Sequence, residues 1–75
     1  MESAYLEELK VKLGERIRTL RKEKGFSVRQ FALHAGIEHP RLINIEKGRI
    51  DLKLSTLHKI SEGLGIELTK LFEFN

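Results

Sequence analysis

The segment between Ser27 and Gly48 constrains the fold of this 75-residue chain more than any other part of the sequence. Ser27 and Gln30 have the three-residue spacing of a capping box, which predicts that a helix begins there. Gly36 can adopt a positive φ and end that helix, and the small Ala32 lies one turn before it. A short helix that carries a small residue and stops at a glycine is suited to a second helix crossing it at a steep angle.

A second short helix is predicted to follow and to end at the next glycine. Pro40 is tolerated only in the first turn of a helix, where its missing amide hydrogen costs nothing. The helix is therefore expected to be capped near Glu38 or His39. Its apolar residues Leu42 and Ile45 are predicted to enter the core, which leaves the opposite face in solvent. Two helices in this relation form a helix-turn-helix.

The apolar spacing is helical in nearly all of the remaining sequence, and no convincing alternating strand occurs. A first helix is predicted to begin at a Ser3 cap and to end at Gly25, with a break possible at Gly14. Its apolar stripe consists of Leu6, Leu9, Leu13, Ile17 and Leu20. Ser55 is predicted to start a fourth helix, and residues 67–73 a short fifth one. The fold class is therefore all-α, with five helices.

Length and composition exclude several classes of function. A chain of 8.7 kDa is one domain, and large enzyme folds do not fit in it. It has no cysteine, so disulfides and thiolate metal sites are excluded. The histidines, His34, His39 and His58, fall on three different predicted helices without metal-ligand spacing. We therefore expect no enzymatic activity, metal, cofactor or small-molecule ligand.

The charge is unevenly distributed along the chain. Between Lys10 and Lys53 there are 12 Lys or Arg residues against five acidic ones, a net charge of +7, whereas the two ends together carry −4. Such a basic segment favours a polyanionic partner such as nucleic acid, although a solvated surface would also explain it. No apolar run is long enough to span a membrane, and Glu7 and Glu8 stand where a signal peptide would need an unbroken apolar core, so neither a membrane span nor secretion is expected.

The sequence resembles the Cro/C1-type (XRE) helix-turn-helix family of bacterial and phage repressors over about residues 12–72. The matching residues are Arg18, Leu20, Arg21, Lys22, Gly25, Ser27, Phe31, Ala32, Gly36, Ile37, Leu42, Ile45, Glu46, Lys47, Gly48, Leu57, Ile60, Leu64, Gly65, Leu71 and Phe72. The resemblance implies a compact five-helix, lambda-repressor-like DNA-binding domain over residues 1–75. The motif would occupy about 27–47, after an N-terminal helical extension of about 3–12.

The resemblance also implies site residues, with the third helix, about 39–47, in the major groove of double-stranded DNA. Residues facing bases would be Glu38, His39, Pro40, Arg41 and Asn44. Phosphate contacts would come from Ser27, Val28, Arg29, Lys47 and Arg49. Arg41 suits guanine and Asn44 suits adenine, but either could equally be a solvated surface residue, and Glu38 is better suited to capping the helix. Arg21 and Glu46 would form a structural ion pair.

Three positions depart from the family pattern. Val28 follows the cap where glutamine is common, and Glu38 and Pro40 stand where small polar residues are frequent. All three reduce the hydrogen bonds available to DNA.

A homodimer is expected, with Leu68, Phe72 and Phe74 at its interface. Alternatively, Phe74 folds back on the first helix, and Tyr5, Leu6 and Leu9 offer a second candidate surface. The resulting hypothesis is a sequence-specific transcriptional regulator in a bacterial or phage cytoplasm, similar to restriction–modification controllers, which binds a near-palindromic operator as a homodimer. The alternative is a protein-interaction module of the same fold, such as a coactivator or an antitoxin.

Overall fold

The computed structural model describes residues 3–74, in which four α-helices are followed by a short 3-10 helix and no β-strand occurs. The helices are α1 (Ala4–Glu23), α2 (Val28–Ala35), α3 (His39–Glu46), α4 (Leu54–Leu64) and the 3-10 helix Leu68–Phe72. The all-α prediction is confirmed. The last element differs from the prediction, because it is a 3-10 helix and not a fifth α-helix.

The first two helices begin and end where the sequence predicts. The Ser3 hydroxyl accepts a hydrogen bond from the Leu6 amide at 3.0 Å and caps α1. At α2 both bonds of the capping box form, from the Gln30 amide to the Ser27 hydroxyl (3.1 Å) and from the Ser27 amide to Gln30 Oε1 (2.9 Å). Gly36 ends α2 with φ +72°.

Helix α1 is continuous through Gly14, where the sequence permitted a break. A Cβ atom at Gly14 would lie 2.5 Å from the Ile45 carbonyl oxygen and 2.6 Å from that of Glu46. The glycine therefore allows the last turn of α3 to lie directly against α1. Its role is close packing between helices rather than flexibility.

The start of α4 and the geometry of the final element both differ from the prediction. Ser55 does not start α4, because Lys53 is the N-cap and its carbonyl already accepts the amides of Thr56 and Leu57. In the final element, Arg16 of α1 donates two hydrogen bonds to the Lys70 carbonyl, at 3.1 and 3.3 Å. That carbonyl also accepts the Glu73 amide three residues on, as in a 3-10 helix.

One apolar core joins all five elements of the described chain. Its buried members are Leu13, Ile17, Phe31, Ala32, Ile37, Leu42, Ile45, Leu57, Ile60, Leu64 and Leu71. Leu42 and Ile45 are among the most deeply buried, as predicted, so the inner face of α3 is anchored in the core. The opposite face of α3 is thereby directed outward.

Two further observations concern the described residues as a whole. No helix within residues 3–74 is both long and apolar enough to cross a membrane. His34, His39 and His58 lie on α2, α3 and α4, and nowhere in residues 3–74 do three His, Asp or Glu side chains gather as metal ligands would.

Candidate nucleic-acid interface

Helices α2 and α3 form the helix-turn-helix, and local aromatic contacts fix how the chain enters it. Phe26 precedes the Ser27 cap and packs edge-on against Phe31, with ring centroids 5.4 Å apart. His34 stacks on Phe26 at 5.0 Å and also lies 6.3 Å from Phe31, so the three rings contact one another. These contacts form the hydrophobic staple that the spacing of the two phenylalanines predicts. They hold the start of α2 against its own second turn.

A buried ion pair fixes the end of α3 to α1. Arg21 Nε donates to Glu46 Oε2 at 2.7 Å and Arg21 Nη2 donates to Glu46 Oε1 at 3.0 Å, with only 8% and 7% of the two side chains exposed. Arg21 Nη1 also donates to the Phe26 carbonyl at 2.8 Å. One guanidinium therefore links α1, the turn before α2 and α3, and thereby holds α3 rigidly in place.

The start of α3 differs from the expectation for Glu38. Glu38 is the N-cap residue by backbone conformation, but its side chain accepts no helix amide. A capping side chain accepts from the second or third helical residue, and Pro40 in the second position has no amide hydrogen. The amide of Arg41 in the third position remains a donor, but Glu38 does not accept it, and the residue is exposed at the start of α3.

The other predicted base-reading residues differ in their exposure and in whether their side chains already have hydrogen-bond partners. Pro40 is exposed, and His39, Arg41 and Asn44 are half-buried. No hydrogen bond or ion pair to any residue in 3–74 engages Arg41, so its guanidinium is available to a ligand. Asn44, in contrast, donates from Nδ2 to the Pro40 carbonyl at 3.1 Å and accepts from Arg49 Nη1 at 3.2 Å.

The predicted phosphate-contacting residues differ in the groups that they can still offer to a phosphate. Arg29, Lys47 and Arg49 are exposed cations on α2 and on the turn after α3. Ser27 uses its hydroxyl oxygen and its amide in the capping box, so only the hydroxyl proton remains for another acceptor. Val28 packs its side chain against the core and can offer only its backbone amide, one of the first amides of α2 that have no helical partner.

Arg18 is a basic residue of this region that the sequence analysis did not assign to the site. It lines one surface depression together with Val28, Ile43 and Lys47, so an α1 side chain stands between the start of α2 and the end of α3. Arg18 lies one turn before Arg21 on α1. Spacing along that helix indicates that the two residues are neighbours, but it could not show that Arg18 lines the same depression as Lys47.

The two candidate dimer surfaces adjoin one another. Phe72 is 40% exposed and lines a groove with Leu6 and Leu9 of α1 and with Leu52 of the loop before α4. Leu68 and Phe74 are only half exposed, and both pack against the core.

Phe74 does not provide the exposed aromatic surface that the sequence analysis expected. It lines a depression with Lys12, Arg16 and Thr19 of α1, as expected if the chain end folds back on α1.

Comparisons with known proteins agree with this architecture. The helix-turn-helix domain family matches residues 14–73, so the first half of α1 lies outside the match. The control protein C.MunI from Mycoplasma is 37% identical over 68 residues, which cover 89% of this chain and 92% of that protein. The transcriptional regulator SlrR from Bacillus subtilis is 39% identical over 62 residues, 81% of this chain but 41% of its own length.

A solved structure of similar length shows the same fold. The crystal structure of the restriction-modification controller protein C.AhdI from Aeromonas hydrophila superposes with a TM-score of 0.82. Its sequence is 33% identical, and the match covers 93% of this chain and 100% of that one.

Proposed function

The chain belongs to the helix-turn-helix family of transcriptional regulators, and on this premise we propose that it is a sequence-specific DNA-binding regulator that occupies a near-palindromic operator as a homodimer. Helix α3 enters the major groove, and the start of α2 contacts the adjacent backbone. The protein acts on cytoplasmic DNA in a bacterium or during phage infection. It carries out no catalysis of its own.

The observation that carries this proposal is the outward face of α3. The inner face is immobilised by Leu42 and Ile45 in the core and by the ion pair of Glu46. The first turn of α3 presents Arg41, whose guanidinium has no partner within residues 3–74, and the exposed cation Lys47 follows at the other end of the helix. A rigid helix with a free guanidinium fork and flanking positive charge is suited to guanine O6 and N7 in a major groove.

Symmetric binding is supported by the apolar groove around Phe72. The exposed Phe72 and the half-buried leucines of α1 and of the loop before α4 line one groove, and an apolar surface of this kind favours an isologous contact between two copies. Two copies of α3 related by a two-fold axis would read two inverted half-sites, about one helical turn apart. The proposed operator is therefore an inverted repeat.

The type of regulator is suggested by the end-to-end similarity to control proteins. The match to C.MunI and C.AhdI spans nearly the whole of each of those chains, whereas SlrR extends well beyond the matched segment. We therefore propose a small controller-type regulator, whose action would depend on its own concentration.

Selection of bound duplexes from a random DNA library at near-physiological salt tests the proposal. We expect enrichment of an inverted repeat with half-sites about 10 base pairs apart. Enrichment of an unpaired half-site would retain the base reading and overturn the dimer. Without enrichment, and with only weak, salt-sensitive binding, the specific-regulator proposal would be wrong.

One observation favours the alternative, a protein-interaction module. Leu33 on α2 is 87% exposed and lies beside Ile37 and His39 in a shallow depression. An apolar protein contact at this position would change little with added salt, whereas DNA binding falls steeply. The salt dependence of complex formation therefore distinguishes the two functions.

A further inference from the structure

We propose that Arg49 is a positioning residue for Asn44, in that it sets the orientation in which the Asn44 amide meets a base. This inference rests on the proposed function, because it concerns how the α3 surface reads DNA. It gives Arg49 a role beyond the phosphate contact expected of an exposed cation.

The backbone of the turn after α3 brings Arg49 back over Asn44. Lys47 ends the helix, and Gly48 follows with φ +74°. The Gly48 amide then donates to the Ile45 carbonyl, and the Arg49 amide donates to the Asn44 carbonyl, both at 3.0 Å. These are the two bonds of a Schellman motif. The position of Arg49 is therefore fixed by the local backbone.

The side chains of the same two residues are also joined. Arg49 Nη1 donates to Asn44 Oδ1 at 3.2 Å, and Asn44 Nδ2 donates to the Pro40 carbonyl at 3.1 Å. A guanidinium can only donate and a carbonyl can only accept. The Asn44 amide therefore has one favourable orientation, with its oxygen toward Arg49 and its nitrogen toward Pro40. The reversed amide would place two donors together at one end and two acceptors at the other.

The oriented amide keeps the groups that recognition of adenine needs. Asn44 Oδ1 retains a second lone pair, and Nδ2 retains a second hydrogen, which match adenine N6–H and N7. Because the side chain is already held, less rotational freedom is lost on binding. Arg49 uses one of its five N–H groups on Asn44 and has others for a phosphate. One residue thus couples a backbone contact to a base contact.

Binding of the full chain to four duplexes tests the proposal. The duplexes carry the four possible base pairs at the one operator position where Asn44→Ala abolishes the base preference, and they are otherwise identical. Arg49→Ala is compared with Lys47→Ala, which removes an exposed cation from the same turn but leaves the Asn44 amide bonds intact. Both variants should bind all four duplexes more weakly. Only Arg49→Ala should also reduce the discrimination between them, by about fivefold.

Two additional measurements separate positioning from a general structural effect. In an Asn44→Ala background, Arg49→Ala should weaken binding to all four duplexes equally, because no amide remains to be oriented. In the free protein, Arg49→Ala should shift the NMR resonances of the Asn44 side-chain amide, and Lys47→Ala should leave them in place. A role of Arg49 in the fold alone, or in a phosphate contact alone, does not predict both of these results together.

The outcomes are distinguishable. Equal losses on all four duplexes for Arg49→Ala, or unchanged Asn44 amide resonances, would overturn the positioning role and leave the proposed function intact. The same holds if Asn44→Ala alters the preference at no base pair. If the wild-type chain itself prefers no sequence, the proposed function is overturned, and the inference with it.

Discussion

Individual residues at the candidate interface combine structural and recognition roles to different degrees. Arg41 is the side chain on α3 with a charge and no partner within residues 3–74, whereas Glu46 on the same helix is committed to Arg21. The Val28 side chain packs against the core and cannot make the hydrogen bonds that a glutamine at this position could offer to DNA. Glu38 contributes an exposed negative charge that opposes phosphate. The proposed recognition would therefore depend on few side chains, and each can be tested separately.

Arg41→Ala should cost about 1–3 kcal/mol in binding and relax the preference at one base pair of each half-site. The reason is the loss of a bidentate donor to a guanine edge. Titration of a panel of duplexes, each with one base pair changed, measures the effect. Lys47→Ala is the matched control, which should weaken binding on all duplexes alike and reduce the salt slope by about one. Equal losses for Arg41→Ala on every duplex would exclude it as a base reader.

Glu46→Ala should destabilise the fold by about 3–5 kcal/mol, because it leaves the buried Arg21 guanidinium without its counter-charge. Urea denaturation followed by circular dichroism measures the free energy of unfolding. The double variant Arg21→Met with Glu46→Leu is the control, and it should recover much of the loss since no buried charge remains. A loss below about 1 kcal/mol in Glu46→Ala would mean that water reaches the pair.

At the scale of the elements, the position of α3 depends on its contact with α1. The chain has a glycine at this crossing because the carbonyl oxygens of Ile45 and Glu46 occupy the space of a Cβ at Gly14. A second close approach occurs where Gly48 meets the backbone of Val11. The last turn of α3 and the turn after it therefore lie flat against α1. A substitution at this contact is therefore expected to move the candidate interface as well as the core.

Gly14→Ala should destabilise the protein by about 1–3 kcal/mol, even though alanine has the higher helix propensity by about 1 kcal/mol. The added methyl group meets backbone atoms, which cannot rotate away, so α1 and α3 must separate. Gly63→Ala in α4 is the control, since its Cβ would meet side-chain atoms of Ala35 and Phe31 at 3.2 Å. Thermal unfolding should rank Gly14→Ala well below Gly63→Ala, and the reverse order would contradict the packing argument.

At the scale of the whole molecule, the groove around Phe72 is formed by other residues than the cations of α2 and of the turn after α3, although the exposed Leu33 lies beside Arg29 on α2. The groove around Phe72 is apolar and is lined by α1, the loop before α4 and the 3-10 helix. The cations at the α2 and α3 surface are available to a polyanion. A two-fold contact through the groove would leave both DNA-binding surfaces free. Dimerisation and DNA binding are thereby expected to be separable by substitution.

Phe72→Ser should weaken the dimer and, with it, the binding to an inverted repeat, because it removes exposed aromatic area from the groove. Sedimentation at micromolar concentration should show the wild type at twice the 8.7 kDa chain mass and the variant closer to a single chain. Leu33→Ser on α2 is the control, and it should leave the assembly unchanged. A wild-type species of 8.7 kDa would be inconsistent with the proposed interface.

Much of this fold could be predicted from signals that act within a few residues. The Ser3 cap, the capping box at Ser27 and the positive φ of Gly36 each depend on groups less than five residues apart. Apolar periodicity is also a pattern over a few residues, and it identified Leu42 and Ile45 as core residues. The family resemblance added the Arg21–Glu46 pair, which no local signal reveals.

The remaining features depend on groups that are distant in sequence or on competing partners. Arg16 and Lys70 are 54 residues apart, and their contact accompanies the 3-10 geometry of the last helix. The need for glycine at position 14 arises from carbonyl groups on another helix. Local sequence specifies backbone conformation, whereas the partner of a side chain is established when the helices pack.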